Sequence, residues 1–109
     1  MLVKTKDLTR SEKLRIERRR NGENQPAAAK RHKVTLAEYR QWERTEEGAP
    51  NVKLGRLEDY EACWIERVRG GWTLDDVAEE MGVCRWWLCQ MERGNANAER
   101  LATYWKNAK

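Results

Sequence analysis

The strongest constraint on this chain is that it repeats itself. A shift of 49 residues lays Leu8–Thr45 over Leu57–Gly94, and 12 of the 38 paired positions are then identical without a gap. Ile16-Glu17-Arg18 falls on Ile65-Glu66-Arg67, Gly22 on Gly71, Ala29 on Ala78 and Val34 on Val83. Gln41, Glu43 and Arg44 fall on Gln90, Glu92 and Arg93. Chance would scatter such matches, whereas these recur at like places in a helical pattern, which points to a duplicated unit.

Each copy reads as three short helices. In the first, Thr9 with Glu12 has the spacing of a capping box, Leu14 and Ile16 lie on the helix that follows, and Gly22 can stop it. A second helix starts near Gln25, where Pro26 suits a first turn and Ala27-Ala28-Ala29 allows close packing. After a brief break at His32–Val34, Thr35 with Glu38 predicts another cap, and Tyr39 and Trp42 give the third helix an apolar side. In the second copy Tyr60, Trp64 and Val68 predict the stripe of the first helix, and Gly70-Gly71 its end. Thr73 with Asp76 caps the next helix, Val77, Ala78 and Met81 face inward, and Leu88 and Met91 match Tyr39 and Trp42. Gly82 takes the turn where the first copy has Lys33; a left-handed conformation there suits glycine and costs a lysine.

Two helices joined by so tight a turn form a helix-turn-helix. The expected fold is therefore all-α, a tandem repeat of such units. An N-terminal arm covers residues 1–7, the first unit 8–46, a short Gly/Pro-containing linker 47–56, and the second unit 57–109. Ala98, Leu101 and Tyr104 or Trp105 place a last helix over that second unit.

Charge divides the copies. Residues 1–46 carry 13 Lys+Arg against 7 Asp+Glu, and residues 47–109 carry 9 against 11, so the net +4 is a +6 first half and a −2 second half. A basic first half suits a polyanion, although solubility explains it as well. Cys63, Cys84 and Cys89 form no CxxC pair, and His32, the one histidine, is remote in sequence, so neither a disulfide scaffold nor a metal site is expected and the cysteines read as small apolar fillers, some of them partly exposed. Without an apolar run of membrane length, a signal-like start or a Gly-rich phosphate loop, the expectation is a cytoplasmic protein without cofactor that is not an enzyme and has no membrane partner.

These residues resemble the Cro/repressor-type (lambda repressor-like) helix-turn-helix family of phage and bacterial regulators. GWTLDDVAEEMGV followed by CRWWLCQMERG is similar to the family's second and third helices with their closing glycine, and NQPAAAKRHKVTLAEYRQWER matches in the first copy. The resemblance implies a sequence-specific, DNA-binding transcriptional regulator. It also implies an arginine on the first helix paired with a glutamate ending the third: Arg18 with Glu43 and Arg67 with Glu92. It places Gln25 on phosphate at the start of the second helix, and base reading mainly on Leu36, Ala37 and Gln41. From the residues themselves, Thr35, Arg40 and Arg44 are further exposed candidates on the third helix, with Lys30, Arg31 and Lys33 near the backbone. The double-stranded DNA partner follows from both lines.

The second unit departs from that pattern. Leu74 replaces the helix-two glutamine, and Asp75, Asp76, Glu79 and Glu80 would face phosphate. Arg85, Trp86, Trp87 and Cys89 occupy the reading positions, a composition closer to a protein interface than to a polar base-reading tip. Arg85, Trp86, Cys89, Gln90 and Arg93 thus mark a second DNA or protein interface. A homodimer or protein contact leads, with a second DNA reader or a packing role as alternatives. The rival reading of the whole chain is an adaptor that binds transcription machinery or another protein through its helix-turn-helix surfaces.

Overall fold

The computed structural model describes residues 2–107. These contain seven α-helices, one 3-10 turn at Thr5–Asp7 and no strand. They divide into two compact units, residues 5–55 and residues 56–107 together with residues 2–4. No helix among them is long and apolar enough to cross a membrane.

The first unit contains α1 (Arg10–Arg20), α2 (Gln25–Arg31) and α3 (Leu36–Thr45). The second contains α4 (Asp59–Arg69), α5 (Leu74–Met81), α6 (Arg85–Glu92) and α7 (Ala98–Asn107). The starts of α4, α5 and α6 each lie 49 residues beyond those of α1, α2 and α3.

Local chemistry sets these starts. Thr9 and Glu12 exchange both bonds of a capping box at α1, and Thr73 and Asp76 do so at α5. Thr35 accepts the Glu38 amide at α3, without the reciprocal bond from the glutamate side chain. At α6 the cap is Cys84, whose Sγ accepts the Trp87 amide at 3.4 Å. That makes Cys84 an exposed capping residue rather than a filler, whereas Cys63 is buried and Cys89 half-buried.

In the first unit α3 packs against both α1 and α2. Its core is Leu14, Ala28, Ala29, Tyr39 and Ala49, with Val34, Trp42 and Val52 against it. The stretch read as a linker is therefore partly structural. Arg10 Nη1 donates to the Ala49 carbonyl, Lys13 Nζ to Asn51 Oδ1 and Arg20 Nη1 to the Leu54 carbonyl, tying residues 49–54 along α1.

The second core has the same layout with more apolar volume. Cys63, Val77, Ala78, Met81, Leu88 and Met91 are joined by Leu101, Ala102 and Trp105 of α7. Fully burying a side chain such as Leu88 contributes about 1.5–3 kcal/mol. The predicted stripe on α4 is displaced: Tyr60, Trp64 and Val68 are half-buried, while Glu61, Ala62, Cys63 and Ile65 are buried. Leu2 of the expected N-terminal arm packs on this second core.

Candidate nucleic-acid interface

Helical geometry sorts the side chains of α3 into two faces. Tyr39 and Glu43 are buried, Trp42 is half-buried against the core, and Leu36 is half-buried. Ala37, Arg40, Gln41 and Arg44 are all exposed. Their spacing of three, four and seven residues puts them on one outward stripe. Thr35 is exposed at the N-cap, with its hydroxyl committed to the Glu38 amide.

Lys30 near the end of α2 and Lys33 in the turn are exposed as well. Lys30, Lys33, Arg40 and Arg44 make no ion pair among the described residues. Glu38 is the exposed acid of the same stretch. Four free cations against one carboxylate leave this side of the unit positive.

Two further candidates are held by partners within the unit. Arg31 Nε donates to both carboxylate oxygens of Glu23, at 3.0 and 2.9 Å, and its Nη2 reaches Glu17 Oε1 at 2.9 Å. Donating to those two carboxylates raises the guanidinium pKa further, and the bonds from Arg31 hold Glu23 below the usual carboxylate range. Arg31 is a clamp between helices rather than a free phosphate ligand.

Gln25 Nε2 donates to Glu43 Oε1 at 3.2 Å, so its amide belongs to the ion-pair network. The remaining amide hydrogen and the carbonyl are left for an outside partner. Sequence reasoning placed Gln25 outward and missed this inward bond. The available signal was its replacement by Leu74 at the matching site of the second copy.

Glu43 is the centre of that network. Arg18 Nε donates to its Oε2 at 2.8 Å and Arg18 Nη2 to its Oε1 at 3.2 Å, while Arg18 Nη1 reaches the Glu23 carbonyl at 3.5 Å. Burial alone pushes the Glu43 carboxyl up; Arg18, neighbouring Tyr39 and Gln25 outweigh that and hold it below its ordinary value. Arg15 adds a bond to the Glu43 carbonyl at 2.8 Å. The result fixes the C-terminal half of α3 to α1.

The turn between α2 and α3 is pinned in a similar way. His32 Nε2 lies 2.9 Å from Glu17 Oε1, and its ring stands 5.8 Å from both Tyr39 and Trp42. Lys33 follows with φ of +60°, a left-handed conformation that strains a lysine, and Gly82 has φ of +73° at the matching place.

The second unit repeats this framework under a different surface. Arg67 Nε and Nη2 donate to Glu92 at 2.7 and 3.1 Å, and Nη1 reaches the Trp72 carbonyl at 3.0 Å. Arg67, Trp72 and Glu92 lie 49 residues beyond Arg18, Glu23 and Glu43, so the arginine contacts correspond, whereas Arg15, Gln25 and His32, which bond within the first unit, are replaced by Trp64, Leu74 and Met81.

The exposed positions of α2, Pro26, Ala27, Lys30 and Arg31, correspond to Asp75, Asp76, Glu79 and Glu80 on α5, also exposed. The stripe Ala37, Arg40, Gln41 and Arg44 corresponds to Trp86, Cys89, Gln90 and Arg93 on α6. Trp86 is 64% exposed, its ring 6.0 Å from that of half-buried Trp87. Arg85 pairs at 3.8 Å with Asp75, and Gln90 accepts from the Asn95 side chain at 3.1 Å. Cys89 is half-buried, and Arg93 is exposed at the C-cap of α6. Among the described residues no three or more His, Cys, Asp or Glu side chains converge to hold a metal ion.

No protein-family model matches the chain, and neither does any curated protein or solved structure.

Proposed function

We propose that the chain is a sequence-specific DNA-binding transcriptional regulator built from two tandem helix-turn-helix units. The first unit sets α3 into the major groove, and the second serves dimerisation or protein contact. The observation that carries this reading is the outward stripe Ala37, Arg40, Gln41 and Arg44 beside unpaired Lys30 and Lys33. A recognition helix needs such a stripe: a bidentate arginine suits guanine, an amide suits adenine, and a methyl group meets thymine. Helix α2 crosses the backbone, where Lys30 and Lys33 meet phosphate and the free side of Gln25 adds a hydrogen bond. The bonds from Arg18, Arg15 and His32 brace the site so that α3 docks as a rigid element.

With few hydrogen-bonding groups at the α3 tip, part of the specificity comes from DNA shape. Two arrangements on DNA follow. One chain spans two sites as a pseudo-dimer, or two chains paired through their second units present two copies of α3 to an inverted repeat.

The test is duplex binding followed across a range of salt concentrations. Affinity is expected to fall steeply with salt, and Lys30→Ala to lower the log–log slope by about one phosphate contact. Arg40→Ala is expected to cost about 1–3 kcal/mol on the preferred sequence. Salt-independent binding, or binding untouched by both changes, contradicts the proposal.

One specific observation favours a second reading, a protein-interaction adaptor. Exposed Trp86 and the carboxylates of α5 occupy the positions that face DNA in the first unit. A stable protein complex indifferent to competing DNA would support that reading over the first.

A further inference from the structure

We infer that the acidic face of the second unit docks on the basic face of the first unit of another copy of this chain. Both faces occupy the same positions of the two units, and their chemistry is reciprocal. On α5, Asp75, Asp76, Glu79 and Glu80 are exposed, and Trp86 beside them on α6 is 64% exposed. Asp75 is partly met by Arg85 at 3.8 Å, and Asp76 caps its own helix through Thr73. Glu79 and Glu80 carry the most available charge, although Tyr104 lies close to Glu80.

On the first unit, Lys30, Lys33, Arg40 and Arg44 are exposed without an ion pair, and Glu38 is the acid to be accommodated. Pro26, Ala27 and Ala37 are exposed in the same unit and offer small apolar side chains to an indole. A large aromatic anchor with carboxylates around it therefore finds small apolar side chains with cations around them. Self-pairing of either face would set like charges together, which disfavours a symmetric contact through one face alone.

The contact joins two different surfaces, so it closes a two-fold dimer where both pairs of faces meet reciprocally and otherwise propagates head to tail as open chains or rings. It covers the side chains assigned above to DNA. Competition between DNA and self-association rests on the proposed function; the association itself does not.

The test uses the whole protein in sedimentation velocity at low and high salt. Wild type is expected to grow in mass with concentration at low salt and to revert to monomer at high salt. Glu79→Lys with Glu80→Lys leaves two basic faces, and Arg40→Glu with Arg44→Glu leaves two acidic ones. Each double variant alone is expected to lose association by more than about tenfold, and an equimolar mixture to recover it. Trp86→Ala weakens the wild-type contact. The exchanged side chains are exposed, and recovery in the mixture itself shows that both variants fold.

Wild type that stays monomeric at low salt up to millimolar concentration overturns the inference. So does association that survives in either double variant, or a mixture that does not recover. Duplex binding is read on the same samples: association without DNA binding defeats only the proposed function, and DNA binding without association defeats only this inference.

Discussion

The two units share one internal arginine–glutamate contact beneath exposed surfaces of opposite charge. Arg18–Glu43 and Arg67–Glu92 are bound through the same atoms, and each arginine also reaches a backbone carbonyl five residues on. Above that framework, Lys30 and Arg31 become Glu79 and Glu80, and Ala37 and Arg40 become Trp86 and Cys89. The ion pair that ties the first helix of each unit to the third is thus shared, while the exposed charges beside it on α2 and α5 are reversed. The two halves share that internal contact and differ in the charge they expose.

The cores differ in how much they can absorb. The second is closed by Leu101, Ala102 and Trp105 of a whole helix, and the first by Ala49 and Val52 of an irregular segment. The first also carries a strained turn at Lys33. The second unit is expected to open last.

Breaking the buried ion pairs should give the largest effect. Arg67→Ala strands Glu92, which is 2% exposed, and is expected to cost about 3–5 kcal/mol. Arg18→Ala is expected to cost less, because Arg18 remains 24% exposed against 13% for Arg67 and water can reach its pair. Native-state hydrogen exchange, read separately on each unit, decides it. An Arg18→Ala loss equal to that of Arg67→Ala would remove this distinction between the units.

Lys33→Gly is expected to stabilise the first unit, and Gly82→Lys to destabilise the second, each by about 1–2 kcal/mol. Equal signs in denaturant unfolding would contradict the strain assigned to Lys33.

Acid should act on the first unit through Glu43. Its folded-state pKa is lowered, so its contribution is complete above the ordinary glutamate value of about 4.3 and is lost as pH falls through the folded value. Glu43→Gln is expected to flatten that acid limb in a pH series of unfolding curves. An unchanged limb would place the acid sensitivity elsewhere.

The smallest perturbation is thiol labelling. Burial pushes the Cys63 thiol up to about 12, at the place Leu14 occupies in the other core, while Cys84 is exposed. Cys84 is expected to react in the folded protein and Cys63 only on opening of the second unit. Rapid labelling of Cys63 would mean that this core is loose.

Helix starts were legible because caps are local: Thr9, Thr35 and Thr73 stand within three residues of the amides they cap. The arginine–glutamate partners were legible through the resemblance, 25 residues apart in each copy. The partners of Arg31 were not, because a chain with 22 cations and 18 acids offers many pairings and packing chooses among them. The segment 47–56 read as a short linker from its glycines and proline, and two small apolar side chains with the reach of Arg10, Lys13 and Arg20 tie part of it to the first unit. On α4, large aromatic residues drew the predicted stripe toward Tyr60 and Trp64, whereas the close approach of α6 and α7 favours the smaller Ala62 and Cys63.

The most direct measurement is selection from a random duplex pool with wild type and with Gln41→Ala and Arg40→Ala, at two salt concentrations. A motif enriched by wild type and lost or altered in both variants is the expected result. No enrichment at either salt, or the same motif from all three proteins, would contradict recognition by α3 of the first unit.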